Sequence, residues 1–194
     1  RMSELSSLTG QAFADHLRAV VEAYCAEFPV QPAELQVLAE QMARGDMLDD
    51  RRTLPGHVTT SAFIVNAAFD AVLLIHHRKL GRWFQPGGHW EPAESFWRSA
   101  EREALEETGI GQVVLHPWHK GGDRPIDIDT HAIPAHPAKG EAAHFHHDIR
   151  FVFVADRFER LNGDAAEVSD VRWWPINELA EIAPRAYARL GLMR

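Results

Sequence analysis

Residues 88–110 read GHWEPAESFWRSAEREALEETGI, directly after Pro86-Gly87. Ser95–Thr108 predicts a helix closed by Gly109. On it Glu103, Glu106 and Glu107 stand at i, i+3 and i+4, so three carboxylates share one face. Like charges at that spacing destabilise a helix, whereas a hard divalent cation takes oxygen ligands converging from one side. Arg102, next to Glu103, offsets part of the repulsion and can orient a carboxylate. Taken alone, E-x-x-E-E is more simply a solvated acidic face. The Pro86-Gly87-Gly88 loop shifts the balance. Its glycines let the backbone turn tightly and approach a ligand without Cβ interference, which brings carbonyls and amides beside the carboxylate helix.

On either side of this segment the pattern is β. Val58–Val65 and Ala71–His77 are apolar and β-branched, with Asn66–Asp70 as the turn between them. The stretch holding Gly81 and Pro86-Gly87-Gly88 is expected as a loop. Val113–Leu115, Pro125–Ile133, His144–Ala155 and Val171–Trp174 are further strands, and a last helix covers about Ile176–Ile182. Strands on both sides of a central helix predict an α/β fold, an α+β sandwich with a mixed sheet between helices. Ahead of it Phe13, Leu17, Val20, Val21, Tyr24 and Phe28 recur at helical spacing. A second helix runs from Pro32 to Gly45 through Leu35, Leu38 and Met42. The expected division is a helical extension over 1–55 and a main domain over 56–194. The extension's apolar faces need cover, from the sheet domain, the cleft or a second copy in a homodimer.

Composition narrows the function. Of 194 residues, 28 are acidic and 20 are Lys or Arg, giving a net charge of −8, a surface unsuited to nucleic acid. A small anionic substrate remains open when a metal supplies the local positive charge. The lone Cys25 forms no internal disulfide, and no apolar run reaches the length of a membrane span, so a cytoplasmic protein is expected.

The 88–110 segment resembles the Nudix box, G-x5-E-x7-R-E-U-x-E-E-x-G-U, where U is a bulky aliphatic residue. Gly88, Glu94, Arg102, Glu103, Glu106, Glu107, Gly109 and Ile110 fall at its positions without insertion, and Ala104 is the one soft match. The resemblance covers the box closely, His57–Leu179 loosely, and the N-terminal 55 residues not at all. It implies a hydrolase of nucleoside diphosphates linked to another moiety, using Mg²⁺ or Mn²⁺. By the same resemblance Glu103, Glu106, Glu107 and the Gly87 carbonyl would be metal ligands. Glu103 is a candidate base oriented by Arg102, and Glu94 a supporting carboxylate. A further carboxylate comes from a later loop in many members, with Glu167 preferred here over Asp170. Pro125, fifteen residues after Ile110, gives a lean toward ADP-ribose or another nucleotide sugar. The alternatives are a non-catalytic nucleotide-binding module, against which the full set of box carboxylates speaks, and a diphosphate isomerase. The isomerase needs a cysteine in the domain, and Cys25 precedes it.

Outside the box, HFHHDIRF (144–151) alternates so that His144, His146, Asp148 and Arg150 share a face, and Asp127, Asp129 and His131 alternate likewise. Two such strands predict a hairpin with an acid and histidine stripe. A solvated sheet face is the plain alternative. The stripe is expected to face the cleft of the catalytic helix, binding substrate or a second ion. Arg78, at the end of a strand, is a candidate phosphate contact, and Trp83, Trp90, Trp97 and Trp118 are either base-stacking or packing residues.

Overall fold

A computed structural model describes residues 8–30, 32–93, 95–157, 161–162 and 168–193. Glu94 and Glu167 lie outside the described residues. Helix α1 (Gly10–Glu27) and, after one 3-10 turn at Pro32–Leu35, helix α2 (Gln36–Arg44) precede the sheet. Gly45 ends α2 with φ 76°, a left-handed stop that glycine adopts without a Cβ penalty. The strands are β1 (Gly56–Val65), β2 (Ala71–His77), β3 (Arg82–Phe84) and β4 (Gly87–His89) before helix α3 (Phe96–Thr108). After it come β5 (Val114–Leu115), β6 (Asp127–Ile133), β7 (His144–Val154), β8 (Val168–Pro175) and the short helices α4 (Leu179–Ile182) and α5 (Pro184–Arg189).

The sheet is mixed. β1 and β7 form a long parallel pair running from Gly56 opposite Phe145 to Val65 opposite Val154, while the other pairs are antiparallel. β1 is buried along its whole length and β7 from His147 to Phe153, as strands covered on both faces must be. β6 pairs with β7 as the expected hairpin, with Asp127 opposite Arg150 and His131 opposite His146.

Residues alternate across β1. The Thr60 hydroxyl lies 2.9 Å from Ser99 on α3, so the even-numbered face carries that helix. Thr59 and Ser61 donate instead to Asp148, at 3.2 and 2.7 Å, on the opposite face. The N-terminal helices join the same core. Phe13 packs on Trp90 and Phe96 with ring centroids 5.3 and 5.5 Å apart, and Leu17, Val20 and Tyr24 are buried.

Two expectations need correction. The Gly81–Gly88 segment is not all loop, since β3 pairs with β2 and β4 pairs with β1. Three-residue strands are too short to show alternation, and their pairing comes from the neighbouring strands. The last helix, expected over about Ile176–Ile182, starts as a 3-10 turn at Ile176–Glu178 before α4, and a further helix, α5, follows from Pro184. Proline suits a first helical turn and not an interior one, so Pro184 begins a new helix rather than extending α4.

Candidate active site

The carboxylate helix is anchored from a distance. Ser95 makes no side-chain cap, and Asp123 takes that role, accepting hydrogen bonds from the Phe96 and Trp97 amides at 2.8 Å each. A carboxylate there satisfies two free amides and meets the positive end of the helix dipole. His16 of α1 pairs with the same carboxylate at 2.6 Å, tying the extension to this helix end.

β4 lies along α3, and its glycines make the approach. A Cβ on Gly88 would fall 2.5 Å from Glu103 Oε1. The Gly87 amide donates to Glu107 Oε2 at 2.8 Å. Glu107 is buried and Glu103 half-buried, while Glu106 is exposed. Arg102 donates to Glu103 at 2.7 Å and to Glu106 at 2.9 Å. Burial raises the Glu103 pKa, and Arg102 partly opposes that shift. A desolvated carboxylate with one cation beside it gains from a second cation, so this oxygen-rich set fits a hard divalent ion. Glu103 and Glu107 lie against the Gly87-Gly88 backbone, and Glu106 stands apart on Arg102.

The acid and histidine stripe falls elsewhere. Alternation along β7 and β6 puts it on the sheet face opposite α3, not on the helix side. Its acids are matched by arginines. Asp127, 0% exposed, accepts from Arg150, Arg185 and Arg189 at 3.1, 2.8 and 3.0 Å and from the Tyr24 hydroxyl at 3.1 Å. Arg150 also binds Asp129 at 2.9 Å and Asp148 at 2.8 Å. Burial opposes the charge of Arg150, and Asp148, Asp129 and Asp127 outweigh it. Asp129 is held at about 2, with burial overcome by His131, Arg150 and Arg185.

The histidines gather at the other end of the stripe. His57, opposite His146 across the parallel pair, lies with ring centroids 5.0 Å from His146 and from His144 and 5.1 Å from His89. His131 is 5.8 Å from His146. Burial lowers the pKa of His57, takes His89 to about 4 and His146 to about 2, so these rings are neutral at pH 7. His57 and His89 were not part of the stripe as read from sequence. Only the β1–β7 and β1–β4 pairings bring them in, and the nearest sequence signal is their presence at the start of one strand and the end of the glycine loop.

The remaining candidates are placed as follows. Arg78 is exposed past β2, with Nη2 3.4 Å from the Val168 carbonyl. The Asp170 carboxylate pairs with Arg172 and accepts from the Val171 amide. Trp90 is buried against Phe13 and Phe96, and Trp118 lies under the Arg124 guanidinium at 3.9 Å. Trp97 is covered by Arg98, and Trp83 meets Trp174 edge-on. Among the described residues no helix is long and apolar enough to cross a membrane.

Comparison with known proteins places the chain. Residues 55–191 match the NUDIX domain family. The chain is 31% identical over 113 residues to the uncharacterized Nudix hydrolase YvcI of Bacillus subtilis, covering 58% of this chain and 63% of that protein. It is 26% identical over 145 residues to the CMP-5'-(N-acetyl-N-hydroxy-3-aminopropyl)phosphonate hydrolase of Streptomyces rubellomurinus, covering 66% of this chain and 62% of that protein. The chain thus spans under two thirds of the length of these curated relatives. Its fold is shared with a crystal structure of a NUDIX-family hydrolase from Clostridium perfringens, at a TM-score of 0.50 and 24% identity, over 71% of this chain and 98% of the other. The match over 55–191 takes in the whole carboxylate helix and its glycine loop, and the chain belongs to the Nudix hydrolase family.

Proposed function

We propose that this chain hydrolyses the phosphoric anhydride bond of a nucleoside diphosphate joined to another moiety, with Mg²⁺ or Mn²⁺ as the metal. The observation that carries the reading is the seating of Glu103 and Glu107 against Gly87-Gly88. A relative that hydrolyses a CMP-linked phosphonate supports a nucleotide joined to a second group. ADP-ribose and nucleotide sugars are the first substrates to try. A cytoplasmic location and the division into an extension over 1–55 and a hydrolase domain over 56–194 belong to the same reading.

In this reading Glu103, Glu106, Glu107 and the Gly87 carbonyl hold the metal. When bound, the ion supplies positive charge against the charge that develops on the phosphoryl oxygens. Glu103 takes the proton of the attacking water. Arg102 orients it through the 2.7 Å bond, and the Gly87 amide fixes Glu107. Arg78, exposed past β2, is the group assigned to the substrate. Glu94 and Glu167, as supporting carboxylates, complete the proposal.

The test is a panel of nucleoside diphosphate sugars, dinucleotides and nucleoside triphosphates incubated with Mg²⁺ in ¹⁸O-labelled water. Mass spectrometry should find two phosphate products from each cleaved substrate, one of them carrying a single ¹⁸O at the attacked phosphorus. Binding without turnover across the panel would instead favour a sensing module.

A further inference from the structure

We propose that His57, His89 and His146 form a second metal site, on the sheet face opposite the carboxylate helix, that takes a divalent transition-metal cation such as Zn²⁺ or Co²⁺ in preference to Mg²⁺.

The donor atoms of these three side chains all lie within 4.8 Å of one another. They come from three strands. His57 is the second residue of β1, His146 stands opposite it on the parallel strand β7, and His89 closes β4. The two glycines before His89 make the separation clear. Gly88 presents its Cβ direction to Glu103, and its neighbour His89 points to the other face, where its ring meets His57 and His146. The two sites are therefore back to back across β4.

Hydrogen bonding sets the tautomers. His57 is 2% exposed, and its Nδ1 lies 3.4 Å from the Thr53 carbonyl. A carbonyl only accepts, so Nδ1 carries the hydrogen and Nε2 keeps its lone pair. That Nε2 is buried and, among the described residues, has no hydrogen-bond partner. A buried imidazole nitrogen left without a donor is costly, and a cation at that point satisfies it. A carbonyl fixing the far nitrogen is also the usual support behind a metal-bound histidine.

His144 is prepared in the same way. Its Nδ1 is 2.8 Å from the Ala142 carbonyl, which leaves the Nε2 lone pair facing His146 Nε2 at 3.2 Å. Two nitrogens bound to one tetrahedral ion with bonds of about 2.0–2.1 Å lie about 3.3 Å apart. His144 is thus placed as a fourth ligand or as the hydrogen-bond partner of His146. An all-imidazole set suits Zn²⁺, Co²⁺, Ni²⁺ or Cu²⁺, whereas Mg²⁺ prefers oxygen and keeps its waters. The site does not depend on the hydrolase reading, because none of its ligands lies on α3.

The full chain, stripped with a chelator and dialysed, is titrated with Co²⁺ in the presence of excess Mg²⁺. Visible d–d absorption reports the ligand set, and plasma mass spectrometry counts Zn²⁺ retained after desalting. The wild type should hold one equivalent and give nitrogen-ligand bands. His89→Gln and His146→Gln, whose rings are only half-buried, should each weaken Co²⁺ binding about tenfold or more. His57→Gln should do the same if circular dichroism shows it folded. Glu107→Gln should leave the site intact. No retained metal, or retention lost in Glu107→Gln and kept in the histidine variants, would overturn the proposal.

Discussion

The backbone amide of Gly87 donates to the carboxylate of Glu107, twenty residues along the chain, across 2.8 Å. That bond ties β4 to the last turn of α3 and sets one carboxylate in place before any ligand arrives. Preorganised charge of this kind costs no rearrangement when the reaction begins.

The two neighbouring glycines should respond differently to an added methyl group. In Gly88→Ala the atoms nearest the new Cβ are those at the tip of Glu103, which can swing aside. The protein should fold normally and lose about a hundredfold in kcat, the usual cost of displacing a reacting group by about 1 Å. In Gly87→Ala the Cβ would lie 2.5 Å from Ser61 Cβ and 2.8 Å from the Thr60 carbonyl oxygen, neither of which is free to move. Its melting temperature should fall, with a loss of about 1–3 kcal/mol. Thermal melts beside kinetics on both variants check the contrast.

Asp127 joins α1, α5, β6 and β7 through Tyr24, Arg185, Arg189 and Arg150. Asp127→Ala leaves these guanidinium groups with too little buried negative charge and should cost about 3–5 kcal/mol in urea unfolding. Tyr24→Phe removes one hydroxyl, while Arg189 keeps its bonds to Asp127 and to the Ile126 carbonyl. That change should cost about 1 kcal/mol.

Stability should fall in mild acid. His119 and His147 are fully buried, and burial lowers both to about 4. A histidine kept neutral by the fold binds fewer protons than the unfolded chain between its folded pKa and its ordinary value near 6.5. Its contribution is therefore complete above about pH 6.5 and is lost as pH falls toward about 4. Melting temperature against pH should be flat from about 8 to 7 and drop steeply between about 6.5 and 4. A curve that stays flat to about 4 would show that these rings protonate without cost.

How far the sequence carries can be read from particular residues. α3 was legible because its three glutamates and Gly109 sit at helical spacing over a long run, and β1 and β2 because their apolar residues are dense. The alternation of His144, His146 and Asp148 with Asp127, Asp129 and His131 gave the β6–β7 hairpin and its shared polar face. It could not give the side of the sheet, since that depends on α3 meeting Thr60 through Ser99. Nor could it show that Arg185 and Arg189, some sixty residues from Asp127, would cover the acids. Local pattern has no term for a partner brought in by tertiary packing. The same holds for Asp123 capping α3 and for His57 and His89 meeting His146.

The hydrolase account rests on the carboxylates of α3, and Glu107→Gln tests it most directly. Glutamine is nearly the same size and its carbonyl oxygen can still accept from the Gly87 amide, so the fold should survive. What disappears is one negative charge at the metal site. With the substrate identified from the panel and saturating Mg²⁺, kcat should fall by about a thousandfold, or about 4 kcal/mol, with an unchanged melting temperature. A Glu107→Gln protein that turns over at the wild-type rate would contradict the account.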